Sequence, residues 1–409
     1  MRSAPPSASA RAQFTALWRN ADFVKLWAAQ TVSQFGSQVT LFALPLVAAL
    51  TLGASPAQMG ILSAVEFAPF LLLGLVAGVW VDRLPRRAIL IATDLARAAL
   101  LLAIPAAALA GRLSMGLLYA VAALTGCCTV FFDVAYQSYL PALVRRDDLA
   151  EGNGKLEASR SVAQIAGPGL AGGLVQLVTA PFALLVDAVS FLLSGFALAL
   201  IRAREGRASG PTGGGRILAE IGEGLRVVLH SPLLRPIAAC TATANLFGTI
   251  GQAIFVLYVT RQLGIGPGLL GVIFAAGNLG ALLGAAAASR VARRCGLGAT
   301  IIGSITFGGL GGLLVPLAGG PRAVAVPLLI AGQALLTFGG VMYNVNQVSL
   351  RQAITPGRLL GRMNATMRFI VWGTIPVGAL TGGFLGEAIG LRPTLVVGAA
   401  GALLAPLFP

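Results

Sequence analysis

Charge is scarce in this sequence. Only 11% of its 409 residues are charged, against roughly 25% in soluble domains. So few charges could not cover the surface of a soluble globule. Histidine occurs once, at His230, and no HExxH pair exists, which excludes a metallohydrolase site. The four cysteines (Cys127, Cys128, Cys240, Cys295) have no zinc spacing and read as packed free thiols rather than a disulfide framework. There is no Walker A loop, because GNGKL lacks the spacing and the Ser/Thr. No metal, no cofactor, no ATP and no enzymatic site is therefore expected.

Apolar residues are abundant. They make up 56% of the chain, with a mean hydropathy of +0.85. Runs of about 20 residues recur, each long enough to cross a ~30 Å hydrocarbon layer. They are too continuously apolar for barrel strands. An all-α polytopic membrane protein follows, because lipid admits only helices and closed barrels. Spans are predicted near 24–52, 57–81, 88–110, 114–140, 157–178, 181–201, 237–262, 268–289, 298–319, 323–350, 362–387 and 391–409.

The net charge of +15 does not mark a nucleic-acid binder, since the basic residues sit in short loops between spans. Arg19, Lys25, Arg83, Arg86, Arg87, Arg145, Arg146, Arg290, Arg293, Arg294, Arg351, Arg358 and Arg362 all fall on the side of the termini. The other side has Arg112, Arg261, Arg322 and Arg392. The positive-inside rule makes both termini cytoplasmic in a bacterial inner membrane.

The chain divides into a cytoplasmic segment (1–22), a six-helix bundle (23–201), a linker (202–235) and a second six-helix bundle (236–409). The linker has a flexible GRASGPTGGGR stretch. Ile217, Leu218, Ile221, Leu225, Val228 and Leu229 then share one helical face, which predicts an amphipathic helix lying on membrane lipid. The bundles read as a duplication. DRLPRR after span two matches SRVARR after span eight, Asn153 aligns with Asn364, and FGS at 35–37 with FGT at 247–249. The offsets are about 207–212 residues, and agreement among independent motifs argues for a repeated unit.

Three strings carry a family likeness. GVWVDRLPRR (Gly78, Asp82, Arg83, Arg86, Arg87) resembles motif A of the major facilitator superfamily, with Trp80 and Pro85 departing from it. SVAQIAGPGLAGG (Gly167, Pro168, Gly172) resembles motif C of its antiporter branch. ATDLARA, FFDVAYQSYLP and LLVDAVSFLLSG are similar to the macrolide-efflux and enterobactin-exporter-like group of twelve-span drug:proton antiporters. The resemblance implies the two-halved, pseudo-symmetric major facilitator fold. It also implies that Asp82 meets span eleven and that an arginine reaches Asp133. Gly78 would let a helix approach closely. GPGLAG within span five satisfies GxGxxG, but it lies mid-membrane with no strand before it, so it is not a dinucleotide site.

Polar stripes mark spans one (Gln30, Ser33, Gln34, Ser37, Gln38), four (Thr129, with Thr125 and Asp133), seven (Asn245, Thr249, Gln252) and ten (Asn344, Gln347). Polar groups are costly in lipid, so such faces line a cavity or bond one another. In the resembled family these four spans line the cavity. Asp94, Arg97, Asp133, Glu157, Arg160 and Arg368 form a predicted gate network near the cytoplasmic face. Glu66 lies about nine residues, ~13 Å, from the outer face with no base at its depth. Asp187 also reads as unpaired, nearer the outer end. Such acids are candidates to carry protons. The expectation is proton-coupled export of amphipathic small molecules by a monomer, without nucleic acid or ATP. A siderophore or metabolite exporter, a lipid flippase of this fold and a non-transporting scaffold are the alternatives.

Overall fold

The computed structural model describes residues 17–81, 83–202 and 217–408. Asp82, residues 1–16 and 203–216, and therefore the N-terminal and linker arginines predicted there, lie outside the described residues. The first six spans are α1 (Ala21–Leu46), α2 (Pro56–Val81), α3 (Arg86–Leu109), α4 (Met115–Leu143), α5 (Leu149–Val178) and α6 (Ala180–Ala199). The linker carries α7 (Ile217–His230). The remaining spans are α8 (Leu234–Leu257), α9 (Pro267–Cys295), α10 (Leu297–Leu317), α11 (Arg322–Ile354), α12 (Leu360–Ile389) and α13 (Leu391–Ala402). Eleven of these helices are long and apolar enough to cross a membrane, and the apolar Leu391–Leu407 is shorter.

The sequence sets the helix ends. The Asn20 side chain accepts hydrogen bonds from the Asp22 and Phe23 amides and caps α1, satisfying donors that have no partner within the helix. Ser114 caps α4 in the same way. Leucines 72, 109, 177 and 283 are 64–82% exposed along the outer wall. Only hydrocarbon tolerates such a surface. α5 starts at Leu149, eight residues before the predicted start at 157. Its first turns carry Glu151 and Lys155, a pair satisfied within the helix. Hydropathy alone therefore missed them.

The two halves repeat each other at an offset of 211 residues. π-helical ends close α1 at 47–51 and α8 at 258–262. Positive φ recurs at Gly53 and Gly264, and at Thr179 and Gly390. The repeat also governs how the halves touch. A Cβ on Gly60 would lie 2.6 Å from the Ala379 carbonyl oxygen, and one on Gly271 would lie 2.5 Å from that of Pro168. Gly172 faces the Pro267 carbonyl and Gly383 the Pro56 carbonyl in the same way. Thus α2 crosses α12, and α5 crosses α9, backbone against backbone. Small residues are required there, as at other close membrane crossings.

All of these crossings lie in the half of the bundle away from the linker. Hydrogen bonds between the halves follow them: Arg261 to the Ala49 carbonyl, Gly268 N–H to Gln176, Ala57 N–H to Glu387, and Asn278 to the Gln164 carbonyl at mid-depth. Among the described residues no hydrogen bond or ion pair joins the halves nearer the linker. Among the described residues the bundle is therefore joined by polar contacts on the far face and not on the linker face.

The linker helix α7 docks on α12 through Gly224 and through Val228 of the predicted apolar face. Val228 is fully buried with Ile237, Met363 and Met367. Gly224 lies against Thr366 and the Arg362 backbone, where a side chain would clash. Leu229 stays exposed. The side chains of residues 217–221 lie outside the described residues. Glycine has no apolar signal, so hydrophobic periodicity picks out Val228 but not Gly224.

Candidate functional site

A cavity of about 160 Å³ lies between α2, α4 and α12, in the linker-face half of the bundle. Its walls include Phe70, Gly74, Val130, Gln137, Phe369 and Trp372. Phe70 and Trp372 meet edge to face at 5.4 Å, pairing the two halves across the cleft. Two charges border the space, Asp133 from α4 and Arg368 from α12. The Arg368 guanidinium sits 4.9 Å from the Trp372 ring centroid, a cation–π distance. Arg97, Arg160 and Arg368 are the cations that act on Asp133, yet it makes no ion pair within 4 Å among the described residues.

This corrects the expected motif A contact. Arg86 donates to the Ser138 carbonyl at 3.2 Å, and Arg87 to the Leu198 carbonyl at 3.0 Å. Asp133 sits more than one turn deeper on α4 than Ser138, so these bonds tie the α2–α3 loop to α4 and α6 instead. Arg83 is exposed. Among the described residues Gly78 has open space where its side chain would be, so none of them approaches it closely. Asp82 lies outside the described residues.

The predicted gate network separates into two environments. Asp94 and Arg97 pair in the interior of the first half, both below 5% exposure. Glu157 and Arg160 make a loose pair at 3.7 Å, with side chains 66% and 54% exposed. Such an exposed pair contributes little. Asp187 is not isolated, contrary to the sequence reading. Its carboxylate accepts from Thr40 Oγ1 at 2.5 Å and Ser190 Oγ at 2.9 Å, and Arg97 and Asp94 act on it. It lies nearer the outer end of α6, as expected, and twelve residues from the linker-face end. Glu66 is half-buried and makes no side-chain hydrogen bond or ion pair among the described residues. It shares a helical face with Phe70 and Gly74, at i, i+4 and i+8, which leads toward the cleft.

The polar stripes divide likewise. Gln30 and Ser33 are buried, and Gln30 Nε2 has no partner among the described residues. Gln34 and Ser37 are half-buried and make no side-chain hydrogen bond among those residues. Gln38 lies flat over Gly167 of α5, so it serves helix packing. Thr129 and Thr249 bond carbonyls four residues back in their own helices. Asn245 reaches the Val371 carbonyl of α12. Gln252 borders a separate hollow within the second half, beside Gln333. Asn344 accepts from Gln347, 3.0 Å away. Gln38, Thr129, Thr249 and Asn245 thus pack or bond against helices, and of the predicted stripe residues only Asp133 lines the cavity between α2, α4 and α12. The cleft instead uses Phe70, Phe369 and Trp372, which sequence reasoning passed over because aromatic residues in an apolar span read as ordinary lining. The signal available was Arg368 with Trp372 at i,i+4.

The motif C-like glycines have separate tasks. Gly167 receives Gln38 of α1, and Gly172 carries the α5–α9 crossing. The arrangement as a whole is two pseudo-symmetric helix groups, joined by glycine crossings at one face and parted over an aromatic, charged cleft at the other.

Comparison with known proteins agrees with this architecture. The model of the family described as transmembrane secretion effector matches residues 12–408. The multidrug efflux pump Tap of Mycolicibacterium fortuitum is 28% identical over 381 residues, covering 91% of this chain and 90% of that protein. A bacterial homologue of the iron transporter ferroportin, in its inward-facing state, superposes with a TM-score of 0.75 at 18% identity, covering 96% of this chain and 98% of that one. A bacterial ferroportin homologue in the outward-facing state gives 0.60 at 19% identity, with 95% and 98% covered. The chain belongs to the transmembrane secretion effector family of the major facilitator superfamily, and is a multi-pass membrane transporter.

Proposed function

We propose that this transporter exports amphipathic small molecules from the cytoplasm in exchange for protons. The observation that carries the reading is the cleft. It has aromatic walls from both halves, one acid and one base at its edge, access from the linker face and a sealed far face. An aromatic and aliphatic lining with a few polar groups suits a compound with an apolar body and a polar or charged end. The arginine-rich loops support placing the linker face in the cytoplasm. On that placement the chain stands ready to load from inside. The likeness to an efflux pump supports the outward direction. Glu66 and Asp187 are the acids assigned to proton coupling. No nucleotide-binding loop is present in the sequence, so an ion gradient is the driving force assigned here.

Everted membrane vesicles test this directly. Uptake of a chemically varied panel of fluorescent amphiphiles is followed with and without a protonophore. Several unrelated amphiphiles should accumulate, and the protonophore should abolish their accumulation. Uptake of a single metabolite only would make this a dedicated exporter. Accumulation indifferent to the protonophore would sink proton coupling.

A further inference from the structure

Two carboxylates and one guanidinium are sealed inside the first six helices. Asp94, Arg97 and Asp187 are 0%, 4% and 1% exposed. Arg97 Nη2 bonds Asp94 Oδ1. The rings of Phe132 and Phe191 lie 4.3 and 4.1 Å from its guanidinium carbon, shielding it from water. Arg97 Nε has no partner among the described residues, and the buried Ser194 hydroxyl stands beside Asp94.

The two acids have different surroundings. Asp94 is bonded directly to a permanent cation, Arg97. Asp187 has hydroxyl partners only, Thr40 from α1 and Ser190 from its own helix. A hydroxyl either donates or accepts, so Thr40 and Ser190 can satisfy Asp187 with or without a proton. α1 also presents Gly36 here, packed directly on Asp187 and Ser190. The charged groups of α3 acting on Asp187 are Arg97 and Asp94. From α4, Cys128 and Asp133 face Arg97.

Charge counting then fixes the proton inventory. With both acids ionised the cluster would hold a net negative charge at mid-membrane, which is strongly unfavourable. One proton makes it neutral. We propose that Asp94, Arg97 and Asp187 form a one-proton site in which Asp187 holds the exchangeable proton and Arg97 sets the count. Asp133 shares Arg97 as a neighbour and borders the cleft, so it is the port through which the proton reaches the substrate path. The site's role in transport rests on the proton-coupled reading above; its occupancy does not.

The test is infrared absorption of protonated carboxyl groups in the full chain, reconstituted in liposomes at neutral pH. All measurements are made in a Glu66→Gln background to remove that acid. Asp187→Asn should lose one carboxyl's worth of band, because Asp94 and Arg97 then balance. Arg97→Gln should gain one, because both acids then need protons. Arg97→Gln with Asp94→Asn should return to the background level. This double variant keeps the site neutral, so it decides the matter if a single variant fails to fold. A band unchanged in Asp187→Asn, or lost in the double variant, overturns the proposal. Transport is read in parallel in the native background. Asp187→Asn should keep counterflow and lose proton-driven accumulation at least tenfold. Full accumulation despite a lost band overturns the coupling role. If transport by the parent ignores a protonophore, the functional reading falls, while the band series still decides the site.

Discussion

At the scale of residues, Thr179 shows what the fold demands of a position. It joins α5 to α6 with φ 71° and ψ 160°. That region of backbone space is essentially reserved for glycine, and a side chain there costs on the order of 1–3 kcal/mol. Its repeat mate, Gly390, adopts the same conformation with no side chain. Thr179→Gly should therefore raise stability by about 1 kcal/mol, after glycine's greater unfolded-state freedom is set against the relieved strain. The midpoint of thermal aggregation in detergent measures it, and an unchanged or lower midpoint contradicts the strain. Glu66 makes the opposite argument, from chemistry rather than shape. It has no bonding partner among the described residues and lies on the stripe leading to the cleft. Glu66→Gln keeps its volume and removes its proton. Proton-driven export should fall roughly tenfold or more, the equivalent of about 1.4 kcal/mol in a rate, while counterflow persists. Equal loss of both would assign Glu66 to substrate binding instead.

At the scale of elements, hydropathy located the spans because burial in lipid is a property of a whole helix. It could not tell which helices touch. The four crossing glycines show why. Gly60, Gly172, Gly271 and Gly383 carry no side chain to weigh, yet each is a point where two backbones meet. Gly78, in the recognisable motif, meets none of the described residues. Gly172→Val and Gly383→Val should each destabilise by about 1–3 kcal/mol through overpacking, and should stop transport. Gly78→Ala should be neutral or slightly stabilising. Thermal midpoints of the three variants separate the cases, and a tolerated Gly172→Val would show that the crossing can spread. The linker helix adds a similar contrast. Glu223 and Arg362 pair at 2.6 Å but are 45% and 36% exposed, so losing the pair should cost little. Val228→Asp places a charge among Ile237, Met363 and Met367 and should undock the helix. Protease sensitivity between residues 217 and 230 reports this, and equal digestion of Val228→Asp and the parent would show that the helix is not held there.

At the scale of the whole molecule, the duplicated halves have diverged in charge. Glu66, Asp94, Asp133 and Asp187 all lie in the first half, whereas α12 of the second brings Arg368 to the cleft. The sequence revealed this inventory but not its partners. The motif A likeness implies a loop arginine about four dozen residues away as the partner of Asp133, while the structure sets it opposite a base on the other half, more than 200 residues on. Helix pairings of that kind depend on how the halves dock, which no local pattern encodes. The far-face glycine crossings leave the linker-face ends as the parts free to close, in the rigid-body rocking that repeat-built transporters use. Closure about those crossings carries α4 toward α12, and Asp133 toward Arg368. Their attraction would then latch the cleft shut once it is empty. Reversing one charge puts like beside like in a confined space, so Asp133→Arg or Arg368→Asp alone should hold the cleft open and stop export. Reversing both restores the attraction, so the double variant should recover part of the activity. Labelling of a single cysteine introduced at Val134, on the cleft wall, gives the state separately from transport. Each single reversal should raise labelling above the parent, and the double should lower it again. A double variant as inactive and as heavily labelled as either single one would show that these charges serve substrate binding or folding rather than closure.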